Sequence, residues 1–243
     1  SEDEVLKKIE DELREVEKKL EDVLREIKRR HDELKKRLDE KLERLRRRHE
    51  ELKEALDRGE VDIETVRRVV EENVRTDKRI LEEAKKVVEE NARTDKKLND
   101  EVRELLKRLV DKLRKTVRSD ETKLRDLDRV LEKLKKDLKR VIEETRRVLE
   151  EVKEALDRIL RESERVLREV EKRLEEIKRS PKREEEVKRD LKRILDRLLE
   201  VNTKSIEDLK RILDKLLEVN RRNVDEIRRI LDELRKVIER VTK

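Results

Sequence analysis

The chain has 243 residues, 58% of them charged, with 74 Lys or Arg against 68 Asp or Glu for a net charge of +6. It contains no Phe, Trp, Tyr, Met or Cys, one Gly and one Pro. The lack of cysteine excludes disulfides and thiolate chemistry, and the lack of aromatics removes base-stacking platforms and membrane-interface anchors. No apolar run exceeds two residues, which excludes a transmembrane helix.

Composition alone would place such a chain among disordered sequences, because little apolar surface is available to bury. Periodicity overrules that. Residues 1–30 alternate charge with isolated aliphatics, so no signal peptide is expected, and with no targeting signal the chain reads as soluble and cytoplasmic on recombinant expression. The two signs of charge are interleaved, which describes a solubilising surface and not a nucleic-acid-binding stripe.

The first helix is expected over 2–58, opened by Ser1-Glu2-Asp3-Glu4 with capping-box spacing. It is ended by Gly59, which suits the left-handed position after a helix. The second runs over 62–118, with Asp62 accepting from its first free amides. The third runs over 120–179 with Ser119 as N-cap, and the fourth over 181–242 with Ser180 as N-cap and Pro181 at the first helical position. Each would be about 85–90 Å long at about 1.5 Å per residue. Connections this short turn each helix back along its predecessor.

Each helix also carries an apolar stripe at spacings of three and four, as in Leu124, Leu127, Leu131, Leu134, Leu138 and Val141 of the third. Four matching stripes bury one another, whereas an isolated charged rod needs none. The expected fold is therefore all-α: a long, nearly straight, antiparallel four-helix bundle, up-down-up-down, formed by the single chain over 1–243.

An internal repeat runs through these helices. Val69–Lys86 matches Val87–Glu104 at 10 of 18 positions, and Leu191–Asp208 matches Leu209–Glu226 at 11 of 18. Val130, Val148 and Val166 open similar blocks in the third helix, and His31 and His49 are spaced by the same interval in the first. A repeat of this length makes five whole turns of an unstrained helix, so no supercoil is imposed. The repeat, the aliphatic core, the Glu/Lys/Arg surface and matched polar core positions make the whole chain resemble de novo, parametrically built helical bundles with modular buried hydrogen-bond networks.

Polar residues interrupt the stripes in pairs, each pair one repeat apart: His31 and His49, Asn73 and Asn91, Thr145 and Ser163, Asn202 and Asn220. Asp77 and Asp95, Thr76 and Thr94, and Ser205 and Asn223 follow the same register. Folding at the three breaks is expected to bring His49, Asn73, Ser163 and Asn202 to one level, and His31, Asn91, Thr145 and Asn220 to another. Side chains lean toward their helix N-terminus, so His49 is expected to meet Asp77 and His31 to meet Asp95. Buried polar groups must be paired, and paired ones disfavour slipped registers.

Other chemistries fit less well. A di-metal bundle site needs Glu three residues before His, but Lys28 and Arg46 stand there. His49-Glu50-Glu51-Leu52-Lys53 lacks the second His of a zinc-protease helix. Ser163, His49 and Asp77 have the residue types of a hydrolase triad, but no glycine-rich turn could build an oxyanion hole. His31-Asp32-Glu33-Leu34 spells a retention signal that works only at a C-terminus.

The sequence thus reads as a structural scaffold or assembly building block, with no enzyme activity, cofactor or metal expected. The alternative is a pH-responsive or conditional assembly element driven by His31 and His49. No partner is required by a monomer, although self-association or a designed helical partner would satisfy the same stripes. No nucleic acid or membrane is expected.

Overall fold

The computed structural model describes residues 2–180 and 182–242. Among them are four helices, α1 (Glu2–Asp57), α2 (Ile63–Thr116), α3 (Glu121–Arg179) and α4 (Glu184–Thr242), and no strand. They form a single-chain four-helix bundle with up-down-up-down topology.

The ends follow from local chemistry. Gly59 has φ +71°. Its N–H bonds to the Leu56 carbonyl while the Glu60 N–H reaches the Ala55 carbonyl, both at 3.0 Å. This is the Schellman pair that uses up the last free carbonyls of a helix. Asp62 then caps α2, accepting from the Thr65 amide at 2.9 Å and the Thr65 hydroxyl at 2.8 Å. Acidic residues in the first turn of α2, α3 and α4, and basic ones in their last turns, complement the helix dipoles.

Two expected caps differ. Asp120, not Ser119, caps α3, accepting from the amides of Thr122 at 3.1 Å and Lys123 at 3.3 Å. A carboxylate one residue nearer the helix outcompetes the hydroxyl for the positive end of the dipole. Ser180 does not cap α4. Its N–H bonds back to Glu176 O at 3.1 Å, and α4 begins at Glu184, with the Arg183 carbonyl accepting from the Val187 amide at 3.1 Å. Three consecutive glutamates, Glu184 to Glu186, favour the later start. Ser1 and Pro181, the other residues of the expected caps, lie outside the described residues.

All four helices contribute to each of two compact units. Unit 1 comprises residues 1–30, 89–151 and 215–243, and unit 2 comprises 31–88 and 152–214. The core of unit 1 is aliphatic, built on Leu13, Leu20, Leu105, Leu109, Leu113, Leu127 and Leu134, each at most 1% exposed. Interhelical ion pairs mark which helices are neighbours around it. Glu12–Lys112, Lys19–Glu101 and Arg30–Glu90 run in opposite senses on α1 and α2. Arg114–Asp128 links α2 to α3, Lys215–Glu151 links α4 to α3, and Arg228–Glu21 links α4 to α1.

Unit 2 repeats the arrangement around Leu56, Val66, Val70, Val170, Leu191, Ile194 and Leu198. Its α1–α2 seam carries Arg37–Glu83 and Arg48–Glu72, and its α2–α3 seam Arg67–Glu175 and Lys178–Glu64. Its α1–α4 seam carries Lys35–Asp214, Lys53–Asp196, Lys210–Asp39 and Lys192–Asp57. No large hydrophobic side chain is exposed among the described residues, and no helix is long and apolar enough to cross a membrane.

Candidate functional site: buried polar stations

The polar residues occupy equivalent places in the repeat. His31 and His49 follow Leu13 at successive repeats, and all three are buried. Asn73 and Asn91 are followed by Leu109, and Asp77 and Asp95 by Leu113. Leu127 precedes Thr145 and Ser163, Ile238 follows Asn202 and Asn220, and Val241 follows Ser205 and Asn223. One station of the core is therefore wholly aliphatic where two are polar. The aliphatic set lies entirely in unit 1.

Of the twelve expected core polar residues, ten are buried: His31, His49, Asp77, Asn91, Asp95, Thr145, Ser163, Asn202, Asn220 and Asn223. Asn73 and Ser205 are only half-buried, at the margin of the stripe where a helix face turns toward water. Asn99, 5% exposed, joins the buried set although it has no polar counterpart one repeat away. Its signal lies in the repeat itself, where it stands between Leu81 and Val117, both buried.

In unit 2, the Ser163 hydroxyl of α3 donates to Asp77 Oδ2 of α2 at 3.1 Å. Burial pushes the Asp77 carboxyl up to about 6, with the Ser163 hydrogen bond and the positive charge of Lys41 on α1 working the other way. Burial in turn lowers the Lys41 amine below its ordinary value, and the negative charge of Asp77 opposes that. His49 does not meet Asp77. Its Nε2 lies 2.8 Å from Asp196 Oδ1 on α4, and Lys53 Nζ holds the same oxygen at 3.1 Å. The physical reason is that α1 borders α4 as well as α2. Asp196, at the rim and paired with the Lys53 ammonium, offers a charge-assisted acceptor that the buried Asp77 carboxyl does not.

The His31 ring makes a different contact with α4. Its Nδ1 lies 3.0 Å from the Leu213 carbonyl, within unit 2. Burial lowers the His31 pKa below 6.5, against the raising effects of that carbonyl, Asp32 and Asp214.

Unit 1 gathers buried polar groups that are poorly matched. Burial pushes the Asp95 carboxyl up to about 7, with the Asn223 amide beside it opposing the rise. Asp95 Oδ2, Asn99 Oδ1 and both polar side-chain atoms of Asn220 have no hydrogen-bond partner. An unpaired buried polar group costs about 1–3 kcal/mol, so this is the less favourable of the two polar stations.

No group of three or more His, Asp or Glu positioned to hold a metal ion occurs among the described residues. Ser163 is bonded to Asp77 while His49 is turned to Asp196, so the three triad-type residues are not joined in series. No protein family, no curated protein and no solved structure matches the chain.

Proposed function

We propose that the chain is a de novo designed structural scaffold, an assembly building block without catalytic activity, whose buried polar stations select one register of its helices. The observation that carries the reading is the unequal filling of equivalent repeat positions. The ion pairs recur with the repeat: Arg228–Glu21, Lys210–Asp39 and Lys192–Asp57 are each one repeat apart on both helices. A slip of one repeat would recreate such a seam, so surface charge alone cannot forbid it. It would, however, move Asn91 and Asp95 to the places of Leu109 and Leu113, opposite Leu13 and Leu127. A polar side chain among leucines loses its partners and costs several kcal/mol. The order of aliphatic and polar stations therefore distinguishes registers that the seams treat as alike.

The test is to fill the polar station of unit 1 with the residues of the aliphatic one, in a chain carrying Asn91→Leu, Asp95→Leu, Thr145→Leu, Asn220→Ile and Asn223→Val. Helicity is expected to persist and the melting temperature to rise. Spin-label distances between α1 and α4 should split into more than one population, and light scattering should show more than one mass. A single mass with a single distance would overturn the register role.

A second reading, a pH-responsive element, is favoured by the two carboxyls that burial raises to the neutral range. It would rest on Asp95 and Asp77 more than on the histidines. Light scattering at about pH 7.5 and about pH 5 separates it from the first, because only a switch changes mass or shape across the range where these groups and imidazole titrate.

A further inference from the structure

We infer that the His49 station of unit 2 binds one water molecule, which donates to His49 Nδ1 and Asn202 Oδ1 and so ties α1 to α4. Three observations converge there. A cavity of about 20 Å³ lies between α1, α2 and α4, with His49, Asn73 and Asn202 as its polar lining and Leu52, Val69 and Leu198 among the apolar lining. On that measure a single water needs about 10–15 Å³, so the space is large enough for one. His49 Nδ1 and Asn202 Oδ1 are both buried and both lack a hydrogen-bond partner.

The tautomer that Asp196 selects in a neutral ring makes these two atoms alike. His49 Nε2 faces the carboxylate of Asp196 at 2.8 Å, and Lys53 Nζ shares that oxygen. A carboxylate can only accept, so the neutral ring carries its hydrogen on Nε2 and Nδ1 is left as a lone pair. Asn202 Oδ1 is also an acceptor. Two acceptors cannot satisfy each other, and the group that joins them must donate twice. Water does so, and its oxygen remains free to accept from the Asn73 amide.

The charged groups nearby do not take the place of that water. Arg48, the charged residue of the lining, is paired with Glu72 at 2.7 Å. Glu50 Oε1 is 3.7 Å from His49 Nδ1, beyond hydrogen-bond length, and as a carboxylate it would repel the lone pair. His31 provides an internal contrast. Its Nδ1 is satisfied by the Leu213 carbonyl, which forces the opposite tautomer and leaves no equivalent pair of acceptors at that nitrogen.

The test uses the full chain labelled with nitrogen-15 at about pH 8, where ordinary imidazole is neutral. The His49 ring is expected in the Nε2–H tautomer, with a cross-relaxation signal to a long-lived water. That signal should be lost in Asn202→Leu and kept in Asn220→Leu. A crystal of the parent chain should show density within about 3.2 Å of both atoms. An Nδ1–H tautomer for His49, an empty cavity in well-resolved density, or a long-lived water signal unchanged by Asn202→Leu would each overturn the proposal. The tautomer and density are read on the parent chain, so they decide the matter even if Asn202→Leu folds poorly.

Discussion

His31 and His49, one repeat apart on the same face of α1, present opposite ring nitrogens to α4: Nδ1 of His31 lies 3.0 Å from the Leu213 carbonyl, and Nε2 of His49 lies 2.8 Å from Asp196 Oδ1. The local sequence does not account for the difference. The acid–lysine pair beside His49, Asp196 with Lys53, has its own equivalent in Asp214 with Lys35. What differs is burial, since His31 is 1% exposed and His49 8%. The deeper ring takes the backbone acceptor within reach, and the shallower one takes the carboxylate at the rim.

His31 therefore contributes a definite sign to acid stability. Its folded pKa is depressed, so the unfolded chain binds the proton more readily. Its contribution is complete above the ordinary imidazole value and is lost as pH falls through about 6.5 toward the folded pKa. Asp32, Asp214 and Lys35 are the charged groups that act on it. His31→Leu, which copies Leu13, is expected to change stability little at about pH 8 and to raise it increasingly toward about pH 5. Urea midpoints at the two pH values check this, and a gain independent of pH would contradict it.

Asp95 has the opposite sign. Its folded pKa is raised to about 7, so the folded state holds the proton more tightly than the unfolded chain. Stability should rise as pH falls through about 7 and level off near the ordinary carboxylate value of about 4. Asp95→Asn should raise stability at pH 8 by about 2–4 kcal/mol and flatten that slope, at about 1.4 kcal/mol per pKa unit. Asp77→Asn should do the same to a smaller degree, because Ser163 and Lys41 already offset part of the burial. Denaturant titrations between about pH 4 and about pH 8 would show the slope, and its survival in Asp95→Asn would assign it to another group.

Asn99→Leu restores the aliphatic side chain that the repeat places at Leu81 and approximates Val117. The substitution removes an unpartnered carbonyl and adds apolar contact, so a gain of about 1–2 kcal/mol is expected. A loss of that size in thermal unfolding would mean that the Asn99 amide is needed where it stands.

At Gly59 a Cβ would meet nothing within 4 Å. Gly59→Ala therefore isolates the backbone effect of φ +71°, and a loss of about 1 kcal/mol is expected. Gly59→Asn should lose less, since asparagine tolerates that region. Equal melting temperatures for all three chains would show that the turn relaxes around the side chain.

Much of this architecture was legible in the sequence. Helix breakers are so scarce that Gly59 and its neighbours marked their turn directly, and a repeat of whole turns located the core face of every helix. Two features were not legible, for different reasons. Competing caps such as Ser119 and Asp120 differ by one residue, and the outcome depends on which group meets free amides. The partners of His31 and His49 depend on which of two flanking helices offers the better acceptor, and helical periodicity carries no information about ring rotation. Asn99 was visible only by comparing repeat positions with one another, because a single asparagine at the edge of a stripe resembles a surface residue.

The recurrence of the seams from one repeat to the next also makes the fold a ruler. One repeat is a whole number of turns, so adding one to each helix lengthens it by about 27 Å and returns every side chain to the same azimuth. A binding loop or fused domain fixed to one helix face could be moved along the axis in such steps without being rotated about it. Reach and orientation, usually coupled in a helical spacer, become separate choices.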